Sequence, residues 1–203
     1  LSEDPDISVA VLDAGGKNDN WVVTTPFALV LMVAGNVNNW AFNTVPQKGL
    51  NGRIGYQPRG KGLGGSSAIN AMVYIRGHRA DYDQWASLGN AGWSFADVLP
   101  YFKRAEDNSD FDGEYHGKGG PLAVNKSRTG NPVQQIFLQA AQEAQFRLRE
   151  DFNADEHEGL GIYQLTQKNG ERCSAARAYI HTHMGNRANL RVETHAHATR
   201  ILF

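Results

Sequence analysis

The stretch Gly60-Lys61-Gly62-Leu63-Gly64-Gly65-Ser66-Ser67-Ala68-Ile69-Asn70 carries more information than any other part of the sequence. Glycines interleaved with small and hydroxyl residues leave backbone N–H groups uncovered, and such a surface suits a pyrophosphate or the electron-rich edge of a ring. Arg59 and Lys61 add positive charge beside the loop, and Asn70 closes it with a side chain that donates or accepts. A bare glycine cluster is also what a flexible turn looks like, so its surroundings have to decide. One nucleotide reading fails on them. Gly55-Tyr56-Gln57-Pro58-Arg59-Gly60-Lys61 fits the first seven positions of a GxxxxGK[S/T] phosphate loop, but the eighth, which should hold magnesium through a hydroxyl, is Gly62. Pro58 also removes one of the N–H donors such a loop offers, and no strand pattern runs into it.

Upstream, Ile7-Ser8-Val9-Ala10-Val11-Leu12 is a β-branched run bounded by Pro5 and by Gly15-Gly16. It reads as a strand buried on both faces, as in a parallel sheet. Asp13 stands at its C-terminal end. In dinucleotide-binding folds an acidic residue there accepts hydrogen bonds from ribose hydroxyls, about 20 residues after a Gly-x-Gly-x-x-Gly turn. Counting back from Asp13 runs off the start of the chain, and the plain alternative is a solubilising Asp at a strand end. Residues 14–56 read as extended loop with one short helix over 27–33. A helix is expected after the glycine cluster, over 66–76, and others over 81–88 and 94–106, the last opened by a Ser94-x-x-Asp97 capping box. Residues 107–130 read as polar loop. Asn131-Pro132 opens an amphipathic helix marked by Val133, Ile136, Phe137, Ala140, Ala141 and Ala144. Residues 161–167 read as a strand, Asn169-Gly170 as a tight turn, and Ser174 as the cap of a helix through His181. Residues 190–203 read as one strand, or two with a kink. The chain is therefore α/β in class, α+β overall.

Composition narrows the function. Twenty Lys+Arg against 21 Asp+Glu give a formal charge of −1, which argues against a nucleic-acid grip resting on bulk charge. The single cysteine, Cys173, makes neither an internal disulfide nor a Cys-based zinc site and fits a reducing compartment. The longest apolar run, residues 26–34, is too short to span a membrane. Leu1 in place of Met, and Ile201-Leu202-Phe203 at the other end, make both termini look cut. The chain is thus expected to be a piece of a larger protein, with a signal segment upstream left open. His181-x-His183 and His195-x-His197 have the spacing of ligand pairs, but no carboxylate or Cys close in sequence completes either set in an obvious way, so no metal site is assigned. His116 and His157 read as loop residues, Cys173 as a packing residue, and Trp85, Trp93, Phe95, Tyr101 and Phe102 as core.

Taken together these pieces resemble the glucose–methanol–choline (GMC) family of FAD-dependent alcohol oxidoreductases, and within it the choline-dehydrogenase-like alcohol dehydrogenases. Residues 60–70 with Tyr74, Gly77 and Asp83 follow the family's first signature along its length. Val11-Leu12-Asp13-Ala14-Gly15-Gly16, Trp40, Gly92-Trp93-Ser94, His116-Gly117 and Cys173-Ser174 with Ala178-Tyr179 support it. The resemblance covers the whole chain. It implies a partial Rossmann-like FAD-binding domain over 1–25, a lid over 26–56, an extended FAD-binding region over 57–106, part of a substrate domain over 107–188 and a return strand over 189–203. It places Asp13 on the adenosine ribose. Gly62 and Asn70, Ala71, Met72 and Val73 line the pyrophosphate and isoalloxazine, and Ala198 meets the adenine. Ile69 stands where members with covalent flavin have His, which implies non-covalent FAD. The implied reaction is hydride transfer from the CH–OH group of a choline-like or primary alcohol to flavin. The family's second signature and active-site His have no counterpart here, so no catalytic residue is assigned. A non-catalytic fragment or cofactor-binding module, or a flavin-bearing lyase, remains the alternative. The implied partners are a small alcohol and an unidentified electron acceptor, with no nucleic acid and no membrane insertion. The implied location is the cytoplasm, or a membrane reached through the acceptor.

Overall fold

The computed structural model describes residues 1–202. The chain mixes helix and sheet and divides into two compact units: Leu1–Met72 together with the segment from Asn169 onward, and Val73–Lys168.

In the first unit, Val9–Leu12 runs parallel to Leu190–Glu193, with Val9 opposite Leu190 and Leu12 opposite Glu193. Parallel pairing is what the β-branched run predicts, but burial on both faces is not observed. Val9 and Val11 are half-buried, while Ala10 and Leu12 face outward, Leu12 being 56% exposed. Among the described residues this sheet has two strands, so alternate side chains stay exposed. The return strand is also shorter than expected. It ends at Glu193, and His195 then adopts φ 56°. The turn lets the His195 and Ala196 N–H groups donate to Gly15 O and Asp13 O, both at 2.8 Å.

Residues 14–56 hold more structure than one short helix. The Asn20 side chain accepts from the Val22 and Val23 N–H groups and so caps Trp21–Thr24, a helix the sequence pattern did not reveal. A 3₁₀ turn, Pro26–Ala28, leads into the expected helix, Leu29–Val33. Phe42–Asn43 pairs antiparallel with Tyr56–Gln57. Val23, Met32, Ala68 and Ile69 form a buried apolar cluster, which anchors the end of the glycine-rich stretch. The helix expected over 66–76 is only a 3₁₀ turn, Gly65–Ala68. It cannot continue because Met72 lies at φ 63°, in the left-handed region. That conformation is supported by the Met72 N–H, which donates to Asn70 Oδ1 at 3.0 Å. Asn169 and Gly170, at φ 54° and 78°, make the expected tight turn. Ser174 Oγ accepts from the Arg177 N–H and opens a short helical segment that ends in the π-turn Arg177–His181.

In the second unit, Arg79–Ser87 and Phe95–Ala105 are helices, the latter opened by the Ser94/Asp97 capping box. The polar loop expected over 107–130 is corrected. Glu106–Asn108 runs parallel to Leu122–Lys126, which pairs antiparallel with Gln164–Leu165, itself paired with Val73–Tyr74. Apolar alternation could not reveal the first of these strands, because its buried residues are Glu106 and Asn108. The strand expected over 161–167 is reduced to Gln164–Leu165, with Gln167–Lys168 beyond it. Pro132–Glu143 is helical with Asn131 as its cap, yet Val133, Ile136 and Phe137 on its apolar side are exposed and Ala141 alone in it is buried. Of the five aromatic residues read as core, Phe95 is buried, whereas Trp85, Trp93 and Tyr101 are exposed and Phe102 is intermediate.

Candidate functional site

The glycine loop belongs to the first unit and is built around close backbone contacts. A Cβ placed on Gly15 would lie 2.5 Å from Gly62 N, and one placed on Gly60 would collide with Gly65 O. Gly62, Gly64 and Gly65 take φ 126°, 88° and 52°, which L side chains rarely adopt. The protein's own packing therefore needs these glycines. The N–H groups of Lys61, Leu63 and Gly65 donate internally, to Asn38 O at 2.7 Å, Gly16 O at 2.9 Å and Gly62 O at 2.8 Å. Among the described residues none accepts from the Gly62 or Gly64 N–H. The uncovered donor surface expected from the sequence is thus an alternating one.

Asp13 sits beside this loop. Its Oδ1 accepts from the Gly15 N–H at 2.8 Å, and Gly15 is the residue packed on Gly62. The second carboxylate oxygen keeps its lone pairs for another donor. Trp40 collects three neighbours: Lys61 Nζ at 4.6 Å from its ring centroid, His197 at 5.3 Å between centroids and Phe42 stacked at 5.6 Å. The structure therefore brings Asp13, Gly62 and the segment carrying Ala198 into one neighbourhood. Asn70, Ala71 and Met72 follow at the far end of the loop, and Val73 opens the second unit. Ile69, buried in the apolar cluster, carries no polar atom on its side chain.

The far end of the loop is gripped by Arg172, which the sequence reading passed over. Arg172 is 1% exposed. Its Nε donates to Val23 O at 3.0 Å, and its Nη1 donates to Asn70 O at 2.7 Å, Asn70 Oδ1 at 2.9 Å and Ser67 O at 3.2 Å. Its Nη2 is buried without a hydrogen-bond partner. Burial pushes the guanidinium down to about 10, so it is still cationic at neutral pH. Ser67 Oγ adds a second tie, donating to Gly64 O at 2.6 Å and accepting from the Ala175 N–H at 2.8 Å.

The second unit hides a charge cluster that was also missed. Arg76 Nη2 donates to Glu106 Oε2 at 2.9 Å, with side-chain exposures of 2% and 0%. His116, read as a loop residue, is buried with Nδ1 3.1 Å from Glu106 Oε1 and Nε2 2.7 Å from Asp151 Oδ2. Asn108 Nδ2 and the Gly117 N–H also donate to Glu106, each at 2.8 Å. Burial lowers the His116 pKa, but the hydrogen bonds and charges of Asp151 and Glu106 outweigh it and raise the imidazolium to about 9. Burial likewise pushes Glu106 up, and the bonds from His116, Asn108 and Gly117 with the Arg76 charge more than reverse it. Asp151 is lowered in the same way, burial being outweighed mainly by its bond to His116. Two cations thus face two anions, Arg76 and His116 against Glu106 and Asp151. Arg76 Nη1 also donates to Tyr115 O at 2.6 Å, and the His116 ring stacks on Phe111. The cluster's chemistry is mutual satisfaction, which suits a structural keystone.

The remaining histidines stand apart. His181 Nε2 lies 3.0 Å from Lys17 O, and His195 packs beside Gly16. Among the described residues no group of three or more His, Cys, Asp or Glu is arranged to hold a metal ion. No helix among them is long and apolar enough to cross a membrane.

The fold and the glycine loop define the class. The chain belongs to the GMC oxidoreductase family, whose pattern matches residues 11–203. It is 46% identical over 204 residues to the alcohol dehydrogenase [acceptor] of Pseudomonas putida, covering all of this chain and 37% of that protein. It is 41% identical over 210 residues to the mitochondrial choline dehydrogenase of Homo sapiens, of which it spans 35%. Among solved structures, pyridoxine 4-oxidase from Mesorbium loti superposes with a TM-score of 0.89 at 31% identity, over 96% of this chain and 38% of that one. A protein described as an FAD-dependent oxidoreductase from Chaetomium thermophilum superposes with a TM-score of 0.84 at 29% identity, over 95% of this chain and 35% of that one. The chain therefore spans little more than a third of the length of these relatives.

Proposed function

We propose that this chain forms the FAD-holding part of an oxidoreductase that takes a hydride from the CH–OH group of a small alcohol. The observation that carries the reading is the loop over 60–70. It is held by glycine packing against Gly15 and leaves the Gly62 and Gly64 N–H groups without a protein acceptor. Those donors suit a pyrophosphate, the second oxygen of Asp13 suits a ribose diol, and the Asn70 amide suits the polar edge of a heteroaromatic ring. The residues present thus fit FAD. When bound, FAD supplies the hydride acceptor; this chain's residues bind and orient it. In this reading Asp13 takes the ribose, Gly62 and residues 70–73 line the pyrophosphate and isoalloxazine, and Ala198 lies at the adenine. Residues 1–25, 57–106 and 189–203 serve the cofactor, 26–56 cover it and 107–188 face the substrate side. No residue of this chain is assigned to the proton-transfer step.

Binding is proposed to be non-covalent, because the Ile69 side chain offers no nucleophile. Acid precipitation of the FAD-loaded protein is expected to leave yellow flavin in the supernatant, and flavin retained in the pellet sinks this point. Asp13→Asn tests the ribose contact while sparing the Gly15 bond, since the new amide oxygen still accepts from that N–H. It is expected to weaken FAD binding by about 1.5–3 kcal/mol, the worth of a hydrogen bond to a charged group. An unchanged dissociation constant by flavin fluorescence titration returns Asp13 to a turn-capping role.

A further inference from the structure

We propose that Arg172 is a positioning residue that fixes the Asn70 side chain as a hydrogen-bond donor to an acceptor atom of the flavin; this deepens the FAD reading above and rests on it. The orientation of the Asn70 amide follows from chemistry. Two groups approach one of its atoms, Arg172 Nη1 at 2.9 Å and the Met72 N–H at 3.0 Å. A guanidinium and a peptide N–H are donors only, so the atom between them is the oxygen and the NH₂ points the other way. Asn70 is exposed, and among the described residues nothing accepts from its Nδ2. What the site presents there is a donor pair of fixed direction, which is complemented by the carbonyl or imine acceptors on the edge of a heteroaromatic ring.

The cost of the arrangement argues that it serves more than folding. A buried guanidinium facing only carbonyl and amide oxygens carries a desolvation penalty that an apolar side chain avoids, and Arg172 leaves one nitrogen unsatisfied as well. The same Nη1 holds both the carbonyl and the side-chain oxygen of Asn70, so backbone and amide are set by one group. The strained Met72, at φ 63°, is the other half of the clamp.

Asn70→Asp separates positioning from folding. A carboxylate accepts from Arg172 and Met72 as the amide oxygen does and pairs with the buried charge, but it has no N–H to offer. The expected result is an apoprotein that melts no lower than the unsubstituted one, together with FAD affinity reduced roughly tenfold or more, about the worth of one lost hydrogen bond. The visible band of the bound flavin is expected to shift. Arg172→Lys keeps the charge but not the fork, and is expected to weaken FAD binding to a similar degree. Combining the two substitutions is expected to add no further loss, since both remove the same contact. A lowered apoprotein melting temperature in Asn70→Asp overturns the assigned orientation. Wild-type FAD affinity with an unshifted spectrum overturns the donor role, and additive losses overturn the coupling to Arg172. If the unsubstituted protein takes up no FAD, the functional reading itself falls, an outcome distinct from all of these.

Discussion

Glu106→Ala is expected to destabilise the protein by about 3–5 kcal/mol, the cost of stripping one partner from a buried ion pair. The Glu106 carboxylate is fully buried and receives Arg76, His116, Asn108 and the Gly117 N–H. Its removal leaves the Arg76 guanidinium, 2% exposed, without its anion, and leaves several donors without an acceptor. Chemical denaturation followed by the fluorescence of Trp85 and Trp93 reads the loss. A drop below about 1 kcal/mol, the scale of exposed pairs, contradicts the structural role assigned to the cluster. Replacing Arg76 and Glu106 together with apolar residues is expected to be far milder than Glu106→Ala alone, because no charge is left stranded.

The second large effect is one of pH. The His116 pKa rises from 6.5 to about 9 in the folded state, so its contribution is complete below 6.5 and declines as pH rises through about 9. Across that interval the loss amounts to about 3 kcal/mol. Glu106 and Asp151 are shifted the other way, so their contributions are complete above the ordinary carboxylate values of 4.5 and 3.8 and are lost as pH falls through the lower folded values. The cluster is therefore most stabilising between those limits and 6.5. Melting temperatures measured from pH 5 to pH 10 are expected to fall on the alkaline side, and His116→Gln is expected to flatten that fall. An equally steep alkaline fall in the variant assigns the effect to another group.

Local features were legible in the sequence, and distant ones were not. The Ser94/Asp97 box, the Asn131 cap and the Asn169-Gly170 turn depend on residues within a few positions of each other, and each stands as read. The glycine loop was equally clear, because tight turns leave a local mark. Arg76, Glu106, His116 and Asp151 come from four separate segments, and no spacing rule connects them. The polar character of Asp107 and Asn108 made the start of residues 107–130 resemble a loop, when burial of Asn108 with matched partners makes it strand. Arg172 was hidden for the same reason, its partners Val23, Ser67 and Asn70 lying far back in the chain. The exposed apolar positions on Pro132–Glu143 show the opposite error: amphipathic spacing marks the apolar side of a helix but does not say that anything covers it.

The pairing of Val9–Leu12 with Leu190–Glu193 also imposes an order on synthesis. The strand Val9–Leu12 must wait for one made about 180 residues later, and closing so long a loop costs about 4–5 kcal/mol of chain entropy before any contact repays it. The segment Val73–Lys168 is continuous and meets no such delay. On a ribosome that unit is complete in sequence while the first still lacks its second strand. The glycine loop leaves the exit tunnel long before Arg172, the residue that grips its far end. Completion of the glycine loop's far end is thus tied to a residue translated 102 positions after Asn70, so premature termination just ahead of Arg172 would yield a chain able to build its inner charge cluster but not to clamp the loop.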